Sequence, residues 1–187
     1  MRNLFSFNMM SLDGFFEGSQ PWDLNWHNTD EEFNEFAIEQ MKTIDTLMFG
    51  RKTYEGMAGY WASEDALKDD PTVAGQMNSV PKLVISRTLS KADWNNTRLI
   101  KDNIAEEILK LKQQPGNDLA IFGSADLLST LMQMDLVDEH RVMINPVILG
   151  KGTPLFKNVE DQTKLKLLKS RPFQSGNILL YYSPAKE

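Results

Sequence analysis

The chain has 187 residues, enough for one sizeable hydrophobic core, and reads as a single domain over 1–187. Its formal charge of −6 and isoelectric point near 5.0 speak against nucleic acid or an anionic membrane as the main partner, since both require clustered positive charge. The lack of cysteine excludes disulfides and thiolate metal sites, the two histidines (His27 and His140) leave little for a histidine-rich metal centre, and no signal-peptide pattern or spanning apolar run is visible, so a cytoplasmic protein is expected.

Leu4 to Met10 predicts a first strand that ends in a turn at Asp13-Gly14, with Gly18 beyond it. Asp30 to Met41 predicts a helix. Phe33, Phe36, Ala37 and Met41 share one face, Thr29 stands at the cap position, and Asp30, Glu31 and Glu32 crowd the first turn, where the helix dipole favours acids. A strand at Asp45 to Phe49 and a helix from Arg51 follow. After a polar connection through Asp70-Pro71 come a short helix at Thr72 to Ser79 and a strand at Lys82 to Ile85. The period repeats with a strand at Arg98 to Lys101, a helix at Ile104 to Lys112, a strand at Leu119 to Phe122 and a helix at Ala125 to Met132. Beyond Val137 the chain turns to β-formers, with strands at Arg141 to Ile148, Lys164 to Ser170 and Asn177 to Tyr182. Pro172 and Ser175-Gly176 separate the last two, as in a hairpin. Asp138-Glu139 beside His140 and Arg141 reads as a solvated turn, and Gly150-Lys151-Gly152-Thr153 as a loop at a pocket edge. The apolar stretch Val142 to Leu149 is a candidate for strand pairing across a homodimer.

This alternation predicts an α/β fold with a mostly parallel central sheet, helices on both faces and a C-terminal antiparallel hairpin. Ligands of such sheets sit outside the carboxyl ends of the strands. Three strands end in suitable residues: Phe49-Gly50-Arg51-Lys52-Thr53-Tyr54-Glu55, Val84-Ile85-Ser86-Arg87 and Ile121-Phe122-Gly123-Ser124-Ala125. In each of the two glycine-bearing turns, glycine permits close backbone approach and the following helix offers unpaired N–H groups, while the guanidinium fork of Arg87 suits a phosphate dianion.

These three motifs resemble the dihydrofolate reductase-like superfamily. Met10-Ser11-Leu12-Asp13-Gly14 and Asn145-Pro146-Val147-Ile148-Leu149-Gly150-Lys151-Gly152-Thr153-Pro154-Leu155-Phe156 bring the chain closest to the riboflavin-biosynthesis reductase domain, the C-terminal domain of the bacterial bifunctional deaminase-reductase. The resemblance implies a three-layer dihydrofolate reductase-like fold and an NADPH-dependent reductase that passes hydride to a C=N or C=O bond of a small pyrimidine- or pterin-like substrate. It implies that Gly50, Arg51, Lys52 and Thr53 hold cofactor phosphates, that Ser86 and Arg87 meet the adenosine 2′-phosphate, and that Gly123, Ser124 and Ala125 lie under the pyrophosphate and nicotinamide ribose. Ser11, Asp13 and Gly14 would border the substrate pocket, and relatives of this kind commonly form homodimers.

The chain departs from the pattern at two places. Ser124 stands where relatives often carry a second glycine, and Asn8 or Met9 stands where the riboflavin-type domain often has a lysine. Pro21-Trp22-Asp23-Leu24 is similar to the loop beside the nicotinamide in dihydrofolate reductases, which gives Trp22 a place at the substrate, with Trp26 and Trp61 as further candidates to line a planar ligand. Asp13, His27, Asp30 and Glu31 are the candidate proton donors. Two alternatives stay open: a dihydrofolate reductase proper, and an inactive NADPH-binding regulatory module.

Overall fold

Successive side chains of a strand point to opposite faces, so each strand feeds two cores. In β3 (Ile44–Gly50) Leu47 and Phe49 enter one core and Met48 the other. The same split runs through β1 (Leu4–Ser11), where Leu4 and Phe5 part company. The computed structural model describes residues 1–159 and 161–185.

The main sheet has eight strands. Six are parallel, in the order β5 (Thr97–Ile100), β4 (Lys82–Ile85), β3, β6 (Asp118–Phe122), β1 and β7 (Glu139–Asn145). The hairpin of β9 (Leu165–Pro172) and β10 (Ile178–Pro184) completes it, β10 running antiparallel to β7 and β9 forming the edge. A second, two-stranded sheet joins β2 (Phe15–Glu17) to β8 (Thr153–Pro154).

Helices cover both faces. On one side α1 (Glu31–Lys42), α2 (Arg51–Trp61) and α4 (Pro71–Ser79) bury Met41, Tyr54, Val73 and Met77 with Phe5, Leu47, Phe49 and Val84. On the other α5 (Ile104–Gln113) and α6 (Ala125–Gln133) bury Ile108, Leu127, Leu128 and Leu131 against Leu4, Met48, Leu119 and Ile121. Among the described residues no helix is long and apolar enough to cross a membrane.

Four details differ from the sequence expectations. The cap of α1 is Asp30, whose carboxylate accepts from Phe33 N at 2.8 Å, and not Thr29. The polar connection before Asp70 contains a further helix, α3 (Glu64–Asp69), capped by Ser63. Asp138 to Arg141 form a charge network: the buried ammonium of Lys112 meets Asp138 at 2.6 Å, and Arg141 meets Glu139 at 2.6 Å while lying 3.4 Å from the ring centre of Phe5. The stretch Val142–Leu149 cannot pair across a dimer as a strand, because β7 ends at Asn145 and both of its sides are taken, by β1 and β10.

Tyr54, on α2, is 5% exposed, and its hydroxyl oxygen accepts from Trp94 N at 2.9 Å. Tyr54→Phe keeps the ring and strands a buried N–H, a cost of about 1–3 kcal/mol. Urea unfolding is expected to show a lower midpoint at unchanged slope. A midpoint equal to the parent would mean that Trp94 N finds another acceptor.

Candidate functional site

Insertion of β6 between β3 and β1 brings distant segments of chain into one row. The carboxyl ends of β4, β3, β6 and β1 are neighbours, so Ser86, Gly50, Gly123 and Ser11 lie side by side although scattered over more than a hundred residues.

Two helices start in this row, α2 after Gly50 and α6 after Ser124, and neither has a side-chain cap. Their first N–H groups therefore face the row without an intrahelical partner. Gly50 N is the exception, since it donates to Ser124 Oγ at 2.8 Å. Gly123 and Ser124 both adopt left-handed backbone, φ +60° and φ +59°. A side chain at Gly123 would press on Thr53, whose Cγ2 lies 3.2 Å from the Cβ position, so the approach of α2 to β6 requires glycine there.

The cationic groups lie on the outer side of the row. Arg51 turns along α2 to Glu55, 3.5 Å away, and Lys52 is exposed. Ser86 Oγ accepts from Thr88 N and Leu89 N and so shapes the turn that presents Arg87. Arg87 is exposed and makes no ion pair with another described residue. Ala125 is buried at the start of α6.

At the end of β1 the polar groups serve one another. Ser11 Oγ donates to Asp13 Oδ1 at 2.7 Å and accepts from Phe15 N, and Gly14, at φ +93°, closes the turn. Asp13 also accepts from Leu149 N at 3.1 Å and Gly150 N at 2.7 Å, which fastens the 149–152 loop to β1. Desolvation alone would raise its pKa. The hydrogen bonds from Ser11 and the two loop N–H groups outweigh this and hold the carboxyl below its ordinary value. Asp13 is thus an ionised acceptor.

The loop from Gly18 to Asn28 reaches from α2 to the end of β7 and the β9–β10 turn. Trp22, at φ +62° and 46% exposed, lays its indole on α2 at Gly56, where an added Cβ would fall 2.0 Å from the ring. Trp26 Nε1 donates to Asp23 O, and its ring meets His27 edge-on at 4.4 Å. Asn28 pins the far end: its N–H donates to Asn145 Oδ1, its amide donates to Ser175 O, and its carbonyl accepts from Asn177 Nδ2. His27 Nε2 is buried without a hydrogen-bond partner among the described residues, and burial pushes its pKa down to about 4. His27 is therefore neutral at pH 7. Asp30 is occupied as a helix cap, Glu31 is exposed on the first turn of α1, and Trp61 lies at the far end of α2 against Tyr60.

Sequence reading missed an aromatic wall on the α1 side. Phe7 lies 5.7 Å from both Phe36 and Phe122, and Phe36 lies 6.3 Å from Phe33 and 5.8 Å from Phe173. The alternation of Phe5, Phe7 and Met9 along β1 was the available signal. Asn8, on the opposite face, is 3% exposed, with neither amide atom hydrogen-bonded among the described residues.

The family model of the RibD C-terminal domain matches residues 2–179. YyaP of Bacillus subtilis (strain 168), an uncharacterized protein, is 36% identical over 179 residues, covering 92% of this chain and 90% of its own. The crystal structure of a protein of Shewanella sp. PV-4, named for riboflavin biosynthesis, superposes with a TM-score of 0.73 at 24% identity over 98% of this chain and 99% of that one. Dihydrofolate reductase from Enterococcus faecalis, complexed with NADP(H) and RAB-propyl, gives a TM-score of 0.63 at 16% identity over 98% and 97%. At these identities the two superpositions establish a dihydrofolate reductase-like fold.

Two outcomes test the site's local structure. In Gly56→Ala the new methyl displaces the indole of Trp22, a movable side chain on an exposed loop, so the fold should persist while the tryptophan emission shifts to longer wavelength. An unshifted spectrum would place Trp22 elsewhere. For His27, the folded-state pKa lies below the unfolded value of 6.5, so as pH falls the unfolded chain takes up this proton first. The site's contribution to stability is complete above pH 6.5 and is lost toward pH 4, by up to about 3 kcal/mol. His27→Gln should flatten that slope in urea unfolding. Some slope remains from His140, whose pKa burial also lowers. An unaltered slope would mean that His27 titrates in water.

Proposed function

The chain belongs to the RibD C-terminal domain family, and from that premise we propose that it is an NADPH-dependent reductase acting on a C=N or C=O bond of a small heterocyclic substrate. The observation that carries this reading is the row itself. Two uncapped helix starts, a glycine whose Cβ would press on Thr53, and an arginine with no ion pair to another described residue stand at adjacent strand ends.

These residues fit a phosphorylated dinucleotide. Arg51, Lys52 and Thr53 would supply N–H groups and charge to the phosphates, with the positive end of the α2 dipole behind them. Gly50 contributes close approach and not a donor, since its N–H is committed to Ser124. Arg87 would take the 2′-phosphate through its fork of donors, and Ser86 would position it. Gly123, Ser124 and Ala125 would form the base beneath the pyrophosphate and ribose. The nicotinamide, when bound, supplies the hydride.

The protein's part is to orient the reactants and exclude water. Ser11, Asp13 and Gly14 fix the turn and the 149–152 loop beside the substrate, and Trp22 with its loop would cover the bound reactants. Neither Asp13 nor His27 is an acid at neutral pH, the first being held ionised and the second neutral.

Titration of the emission of the four tryptophans with NADPH and NADH in parallel tests this reading. NADPH should bind more tightly, and Arg87→Ala should cost NADPH about 1–3 kcal/mol while leaving NADH unchanged. Absence of binding by either nucleotide would overturn the reductase reading. Equal losses for both would overturn the assignment of Arg87.

A further inference from the structure

The two sides of the site differ in charge. From Asn3 to Met41 the chain holds eight acidic residues and no lysine or arginine. This stretch supplies β1, the 18–28 loop and α1, which stand beside the proposed cofactor row. The exposed basic groups Lys52 and Arg87 lie beyond it, at the ends of β3 and β4.

The wall between α1 and the sheet is aromatic. Phe7, Phe33, Phe122 and Met9 are each only partly buried, although Phe7 touches both Phe36 and Phe122. Partly exposed rings from β1, the end of β6 and the first turn of α1 form a surface that a flat apolar ring covers well. The guanidinium that reaches this wall is engaged already: Arg171 meets Glu32 Oε1 at 3.1 Å and lies over the rings of Phe36 and Phe173. Glu32 in turn accepts from Gln174 N, which ties α1 to the β9–β10 turn.

A phosphate group brought to these walls would lose water, meet like charge and find no free fork of donors. Resting on the reductase reading above, we propose that the substrate is an unphosphorylated, uncharged flat heterocycle that stacks on Phe7, Phe33 and Phe122, and not a phosphoribosyl-substituted pyrimidine. The acids between Asn3 and Met41, most of them at and along α1, then discriminate by repulsion, and the aromatic wall supplies the attraction.

The test compares ligands that differ in the phosphate. NADPH-saturated protein is titrated with 5-amino-6-(5-phosphoribosylamino)uracil, with the same compound after phosphatase treatment, and with 7,8-dihydropterin. At least one unphosphorylated ring should bind about tenfold or more tightly than the phosphorylated compound, and the gap should narrow as salt screens the acids. Equal or tighter binding of the phosphorylated compound would overturn the proposal, as would failure of both neutral rings to bind. NADPH binding, measured alone in the same protein, separates that failure from failure of the reductase reading.

Discussion

The parallel pairing of β6 with both β3 and β1 is the constraint on which the site depends. A chain that wound outward from β1 through β3, β4 and β5 would leave its strand ends in chain order. Because β6 enters between β3 and β1, the starts of α2 and α6 become neighbours, on opposite faces of the sheet. Two helix dipoles then converge on one stretch of sheet edge, a focus of positive potential that no single helix supplies. The register fixes this to the residue: Met48 pairs with Ile121, and Gly50 and Gly123 follow two residues later on each strand.

Burial of charge supports this arrangement from the opposite end of the sheet. Lys112 crosses from α5 to Asp138 and to Leu136 O, while Asp138 also accepts from Leu4 N, so one ion pair joins the last turns of α5 to the starts of β1 and β7. Lys82, 1% exposed, donates to the carbonyls of Met77, Asn78 and Val80 and caps the end of α4, with Trp94 under its ammonium at 4.5 Å. Burial pushes its pKa down to about 8, although the three carbonyls and the helix terminus favour the charged form. Removing either lysine would strand groups that water cannot reach, which makes these cations positional devices more than stabilising ones.

Much of the architecture was legible because periodicity and punctuation agreed. Lys82 to Ile85 alternates between cores as a short buried strand, and Ile104 and Ala125 open helices of clear amphipathic pattern. The small elements were not legible. The strands β2 and β8 pair where backbone bonds and the side chains of Asp13 and Glu17 gather the 149–155 segment, a long-range effect with no local period. The helix α3 follows Trp61 in a polar stretch, and its start signals, Ser63 and the acids Glu64 and Asp65, are common in loops as well. The site was legible as motifs but not as contacts. Asp13 looks like a ligand-binding carboxylate in sequence, yet its oxygens are filled by Ser11 and the backbone. Asn28, Asn145 and Asn177, ordinary polar residues in the sequence, turn out to anchor the far end of the 18–28 loop.

Ser124 shows how a departure from a glycine pattern can be accommodated. A non-glycine residue in left-handed backbone costs about 1–2 kcal/mol, and here it follows a glycine in the same conformation. The hydroxyl offsets part of that cost by accepting from Gly50 N, a bond worth about 0.5–1.5 kcal/mol that a glycine could not make. The bond also ties together the two strand ends above their ladder. Glycine at this position would leave Gly50 N free to face a ligand and the two turns free to move apart. Serine trades one backbone donor for a fixed spacing between the starts of α2 and α6. A cradle built this way holds its shape through a side chain and leaves the N–H groups in the first turns of both helices without an intrahelical partner.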